Sequence, residues 1–144
     1  PDDNSHATRR CHRAAGLCYD VPGRWSADIN PEMQMFTSPD ETMAIMVRAS
    51  DVKGIMSDTT AMLAAVALTV KDPRMLSEPE EYRRDGMRAL RFSGDGYVRG
   101  RRVKWGFDLI AARKPTIILS LVDISHHRAS VGAYRAFFAS INRL

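Results

Sequence analysis

The stretch from Met87 to Ile124, MRALRFSGDGYVRGRRVKWGFDLIAARKPTIILSLVDI, constrains this chain more than any other. Side chains on a β-strand alternate between two faces, so apolar residues at every second position mark a half-buried strand. Val103, Trp105, Phe107 and Leu109 alternate with Lys104, Gly106 and Asp108, the clearest run of this kind in the sequence. Tyr82 to Ser93 alternates as well, with Leu90 and Phe92 on one face and Arg91 and Ser93 on the other. Gly94-Asp95-Gly96 carries hairpin chemistry, because glycine and aspartate tolerate the positive φ of tight turns, and Gly100-Arg101-Arg102 permits a bulge or second turn. Lys114-Pro115-Thr116 turns the chain. Ile117 to Ile124 is apolar on both faces, which predicts a central strand covered on both sides. The remaining segments must then flank or cover a sheet.

Upstream, Leu17, Tyr19 and Val21 alternate until Pro22-Gly23 ends the strand, and Trp25 follows as an apolar anchor. Gln34 to Thr37 and Thr42 to Ala49 read as strands around the turn Ser38-Pro39-Asp40-Glu41. Residues 17–49 therefore predict a three-strand meander. Met62, Val66 and Val70 recur every four residues, which predicts a helix from about Ser57 to Val70. Ser57 or Asp58 would cap it, and Asp72-Pro73 would stop it. Pro73 to Glu81 reads as an acidic loop. Val131, Tyr134, Phe138 and Ile141, with Phe137 beside them, predict a second helix from about Ser130 to Arg143, with Ser130 as its N-cap. The fold class is α+β: an antiparallel meander packed against two main helices, in one domain over residues 17–144. An arm, residues 1–16, precedes it and is expected to be extended or weakly helical.

At 144 residues, 44% apolar and 26% charged, the chain can bury its own core. No apolar run reaches the roughly 20 residues of a membrane-spanning helix. Pro1 in place of an initiating Met reads as a processed or trimmed N-terminus; a removed secretion signal would explain it, and so would a cloning boundary. Cys11 and Cys18, seven positions apart, fit one local disulfide, and disulfides persist in oxidising compartments. A secreted or periplasmic location is expected; the alternative is a cytoplasmic protein with two reduced thiols. Charge is uneven: residues 25–82 carry ten acids against four bases, and residues 83–144 carry thirteen bases against four acids. A basic face meeting an anionic partner is one reading of that asymmetry, and mutual neutralisation is the other.

No catalytic signature is present. Gly94 to Gly100 lacks the lysine and following helix of a phosphate loop, and no serine sits in a nucleophile elbow. No cofactor is implied. Arg99, Arg101, Arg102 and Lys104, flanked by Tyr97 and Trp105, form a basic hairpin. The alternation turns Trp105 into the core with Val103 and Phe107, which disfavours base stacking and nucleic acid. It leaves Arg101, Arg102 and Lys104 free to meet an anionic polymer or lipid surface. His126 and His127, with Asp123, supply imidazole and carboxylate, the ligands a metal-dependent hydrolase would use. Adjacent strand residues point apart, so a polar linker is the stronger reading. His6, Cys11, His12 and Cys18 do not match a zinc spacing, and a disulfide would remove both thiolates.

Short phrases add to the order of elements. VPGRW closes the first strand, FTSPDETMAIMV places an SPD turn before an apolar strand, and TIILSLVD precedes the paired aromatics of YRAFFASI. Together they resemble the PsbP-like superfamily, which includes Mog-type Ran-binding proteins, photosystem PsbP proteins and bacterial DcrB-like envelope proteins. The resemblance covers residues 17–144. It implies an antiparallel sheet with helices packed against it. It also implies a non-enzymatic module of the cell envelope that binds another protein or assists a complex, with no shared catalytic residues. The cysteine pair is not part of the shared pattern.

Overall fold

A computed structural model describes residues 7–51 and 54–144, with side chains except those of 56 and 126–131. The chain runs through β1 (Thr8–His12), β2 (Leu17–Val21), β3 (Ser26–Ile29), β4 (Met33–Thr37) and β5 (Met43–Ala49). Helix α1 (Thr59–Ala67) follows, then β6 (Lys71–Met75), β7 (Glu80–Arg84), β8 (Met87–Val98), β9 (Arg101–Ala111) and β10 (Pro115–Asp123). Helix α2 (His127–Ala139) and the two-residue β11 (Asn142–Arg143) end it. The α+β architecture of an antiparallel sheet packed against two helices is therefore observed.

The large sheet runs β3-β4-β5-β10-β9-β8-β6, with antiparallel pairing throughout, and β7 shares the outer edge of β8 with β6. β10 sits centrally, as its two apolar faces require. Ile118 and Val122 join Phe36, Ile45 and Ile110 under α2, which contributes Phe137 and Phe138. Leu119 faces the opposite way with Phe92, Trp105 and Phe107, under Met62 and Val66 of α1. The first of these layers is sealed further by a small sheet, β1-β2-β11, which contributes Leu17, Tyr19 and Val21.

Several expectations are corrected. Gly94-Asp95-Gly96 is not a turn; it lies inside β8. Its glycines are needed for close packing: a Cβ on Gly94 would stand 1.9 Å from the Arg74 carbonyl oxygen, and one on Gly96 would stand 2.4 Å from Val70. The hairpin turns at Arg99-Gly100, with φ of 52° and 77°, the double positive φ that matches strand twist. The predicted meander over 17–49 is also different. β2 belongs to the small sheet, and β3, four residues with every side chain exposed, is the strand that pairs with β4. Its lack of an apolar face hid it from period-two reading. The expected acidic loop over 73–81 contains most of β6 and the start of β7, both paired to β8. Pro73 is tolerated because β6 is an edge strand whose register shifts there. α1 is shorter than the expected 57–70, with Asp58 as its cap accepting from the Ala61 N–H. α2 ends at Ala139 rather than 143, since Asn142 and Arg143 pair with β2. α2 also starts earlier than expected, at His127, so Ser130 lies within the helix and is not its N-cap.

Thr8–His12, expected as extended or weakly helical, is a strand. Cys11 and Cys18 are directly opposed on β1 and β2 and form a disulfide. His12 is buried; its Nδ1 accepts from the Ala15 N–H, so its Nε2 donates to the Glu32 carbonyl at 2.9 Å.

Two outcomes follow from this packing. Gly94→Ala should destabilise by about 1–3 kcal/mol because a backbone carbonyl must move. Gly100→Ala, facing open space, should lose only about 1 kcal/mol for its positive φ. Urea unfolding of both variants checks the order, and equal losses would contradict the packing role of Gly94. Cys11→Ser/Cys18→Ser should lose roughly 2 kcal/mol, the loop-closure contribution of so short a ring. Thiol labelling of the unreduced wild type should modify neither cysteine.

Candidate functional site

The basic hairpin is the first candidate, and the structure rearranges its charges. Trp105 is buried, and its indole N–H donates to the Asp95 carbonyl at 2.7 Å. Arg102 pairs with Asp95 at 2.9 Å and Arg101 with Asp123 at 3.0 Å, so neither is the free cation the alternation suggested. Arg74 also grips Asp95, through two bonds of 3.1 and 2.8 Å. Lys104 has no ion pair among the described residues, and Tyr97 is half-exposed. Hydrogen bonds from Arg74 and Arg102 hold the Asp95 carboxyl down at about 2.

The metal reading gains nothing. Asp123 is held by Arg101 and accepts from the Ser125 N–H and hydroxyl. The side chains of His126 and His127 lie outside the described residues. Of the second set, Cys11 and Cys18 are in a disulfide, His12 is bonded to backbone, and His6 lies outside the described residues. Among the described residues no three His, Cys, Asp or Glu side chains converge.

A different cluster sits on the α2 side of the sheet. Asp108 on β9 is fully buried and stands opposite Arg91 on β8. Arg91 Nε donates to Asp108 Oδ2 at 2.8 Å. The Tyr82 hydroxyl donates to the same oxygen at 2.5 Å, and the Tyr134 hydroxyl donates to Oδ1 at 3.0 Å. Burial pushes the Asp108 carboxyl upward, and the Arg91 charge opposes that shift. Three donors and no acceptor face it, an arrangement built for a carboxylate. Both tyrosines are pushed up by the same burial, with Asp108 adding to the shift. The Arg91 guanidinium lies between two rings, 4.8 Å from the Tyr82 centroid and 4.9 Å from that of Phe138. Gly106 makes this possible: a Cβ there would stand 3.1 Å from the Tyr134 hydroxyl oxygen.

This cluster escaped sequence reading because Asp108 falls on the polar face of β9, where solvent is the default. Only α2 lying over that face buries it. One signal was available: Tyr134 sits in the apolar stripe of α2, and a buried phenol needs a hydrogen-bond partner. Beside the cluster opens a cleft of about 500 Å³, lined by Leu76, Glu78, Arg91, Lys104, Ser120 and Tyr134 among others.

The other side of the sheet is less covered. A helix is about 10 Å across and strands lie about 4.8 Å apart, so one helix spans two or three strands. Among the described residues, α1, nine residues long, and the preceding single 3-10 turn Ile55–Ser57, which buries Ile55, are the helical cover on the face of a seven-strand path. Met33, Met35 and Leu121 on that face remain partly exposed. α1 has no charged side chain: Thr60, Ala64 and Ala67 face outward, and Leu68 after it is 72% exposed.

Solved structures share this architecture at low identity. CyanoP, the cyanobacterial PsbP of Synechocystis, superposes with a TM-score of 0.66 at 12% identity over 96% of this chain and 92% of that one. A Bacteroides thetaiotaomicron protein gives 0.60 at 10% identity, over 91% of this chain and 46% of that one. LpqN of Mycobacterium tuberculosis, involved in cell envelope biogenesis, gives 0.50 at 10% identity over 95% and 90%. Neither a protein-family model nor a curated protein matches the sequence. The chain thus has the fold of PsbP-like proteins, as its element order implied.

The depressed Asp95 carboxyl gives a pH signature. Its contribution is present above the ordinary value of 3.8 and is lost as pH falls toward about 2. Asp95→Asn should therefore be less stable than wild type at pH 6, with the gap closing between about pH 4 and 2. Denaturant midpoints across that range test this; a gap constant with pH would remove the ion-pair explanation.

Proposed function

We propose that this protein is a non-catalytic binding module of an oxidising compartment, the secreted or periplasmic space, and that its ligand there is another protein. The observation that carries the reading is the half-covered sheet face. A helix without charged side chains is ordinarily buried on all sides, and here its outward face and the neighbouring methionines meet solvent. Methionine surfaces adapt to irregular apolar partners. A second protein laid across α1, Met33 and Met35 would complete the layer that the chain leaves open. The fold supports the assignment through the PsbP-like proteins it resembles, and LpqN supports an envelope setting. The Cys11–Cys18 disulfide fits the compartment. Asp108, the most buried carboxylate, is committed to three donors and is not poised as a general base.

The test is cross-linking in the native envelope with wild type, Met35→Glu and Leu68→Glu, both on the open side. Leu68→Glu should keep wild-type stability within about 0.5 kcal/mol, as surface changes do, and Met35→Glu, partly packed against the core, should lose about 1 kcal/mol and remain folded. A partner captured by wild type should be reduced roughly tenfold or more by either variant, the loss expected when a charge is buried in an apolar contact. Recovery of no partner by abundant, folded wild type, or equal recovery by all three, would refute the reading.

A further inference from the structure

The Arg91–Asp108 cluster asks a separate question, because a buried ion pair is not by itself a source of stability. The arrangement fixes a guanidinium. Its Nε is tied to Asp108 Oδ2, the two rings hold its faces, and the tyrosine hydroxyls hold Asp108 in turn. Neither Nη1 nor Nη2 donates to a described residue, and the side chain is 43% exposed where it lines the cleft. Arginine presents its remaining N–H groups as a planar fork suited to an oxyanion. Lys104 and the Ser93 and Ser120 side chains stand on the same sheet face and line the same cleft. Leu76, Val122 and the Tyr134 ring give it apolar wall, and its volume of about 500 Å³ lies in the range of small-ligand sites.

The charge balance narrows the ligand. Glu78 and Glu80 also line the cleft and Asp108 is already paired with Arg91, so three acids stand against the two bases. A polyanion such as a phosphate monoester would meet more repulsion than a single carboxylate, which the directed Nη groups of Arg91 can engage. We infer that this cleft binds a monocarboxylate with an apolar body, its carboxylate on the Arg91 fork and its body against Leu76 and Val122. The site lies on the sheet face opposite α1 and is independent of the protein-binding surface. The carboxylate comes either from a free aliphatic acid or from the C-terminus of a peptide.

Titration of ¹⁵N-labelled protein with octanoate, N-acetyl-dileucine and its C-terminal amide distinguishes these sources. Octan-1-ol and inorganic phosphate serve as controls. Saturable amide shifts at Ser93, Gly106 and Ser120 are expected with octanoate or with N-acetyl-dileucine, and not with the amide, the alcohol or phosphate. Saturation by octanoate alone identifies a free acid; saturation by N-acetyl-dileucine identifies a peptide terminus. Arg91→Lys keeps a charge beside Asp108 and removes the fork, so affinity should fall roughly tenfold or more. Lys104→Gln, an exposed change that should not disturb folding, should weaken binding severalfold. Absence of saturable shifts up to millimolar probe, shifts mapping elsewhere, shifts equal for acid and alcohol, or unchanged affinity in both variants would each overturn the inference.

Discussion

A strand that is apolar on both faces must be covered on both, and β10 imposes that demand on everything around it. Ile118 and Val122 point one way, Ile117 and Leu119 the other, and each set is buried. β5 and β9 pair with β10 along most of its length, so they inherit the two-sided environment. Hence the chain needs cover above and below, and it supplies the two unequally. One side receives α2 together with a disulfide-linked three-strand sheet. Among the described residues, the other receives nine residues of α-helix, with Ile55 before it and Val70 after it.

The unequal cover explains where polar groups are found. On the well-covered side, β8 and β9 still carry polar residues at alternate positions, and α2 closes over them. Desolvating Asp108 there is expensive unless it is paired and hydrogen-bonded, and the three donors meet that requirement. An apolar residue of similar size would fill the space at less cost. Retaining the carboxylate makes physical sense for positioning Arg91, whose remaining N–H groups open to the cleft. On the thinly covered side the imbalance is of the reverse kind, with apolar residues left without a layer above them.

Legibility follows the same division. The β9 and β10 patterns were readable because a covered strand must place its apolar residues at fixed intervals, and Trp105, Phe107 and Leu109 do so. Tyr134, Phe138 and Ile141 placed α2 for the same reason. β3 was invisible because all four side chains are exposed and nothing in its composition demands a face. β6 was hidden by Pro73, which is excluded from central strands but not from an irregular edge. Gly94 and Gly96 misled because glycine serves turns and close packing alike, and which applies depends on Arg74 and Val70, remote in sequence. The Asp108 cluster combines residues from β7, β8, β9 and α2, and no local pattern joins them.

Charge is the case where composition and structure diverge most. The C-terminal half carries a large basic excess, which on its own suggests a surface for anions. Much of it is spoken for within the fold. Arg74 and Arg102 converge on Asp95, Arg101 meets Asp123, Arg88 meets Glu81, and Lys114 meets Asp51. Two of these pairs, Arg88–Glu81 and Lys114–Asp51, join a base of the basic half to an acid of the acidic half, so the asymmetry in sequence partly cancels in space. What distinguishes Arg91 from the hairpin arginines is therefore not charge but constraint. An unrestrained arginine samples many rotamers and loses that freedom on binding; Arg101 and Arg102 are each held by a carboxylate, and Arg91 by a fully buried carboxylate and two rings as well. A guanidinium fixed by a buried carboxylate and two rings, with N–H groups left toward a cleft, is a more selective feature than hairpin arginines already paired with Asp123 and Asp95.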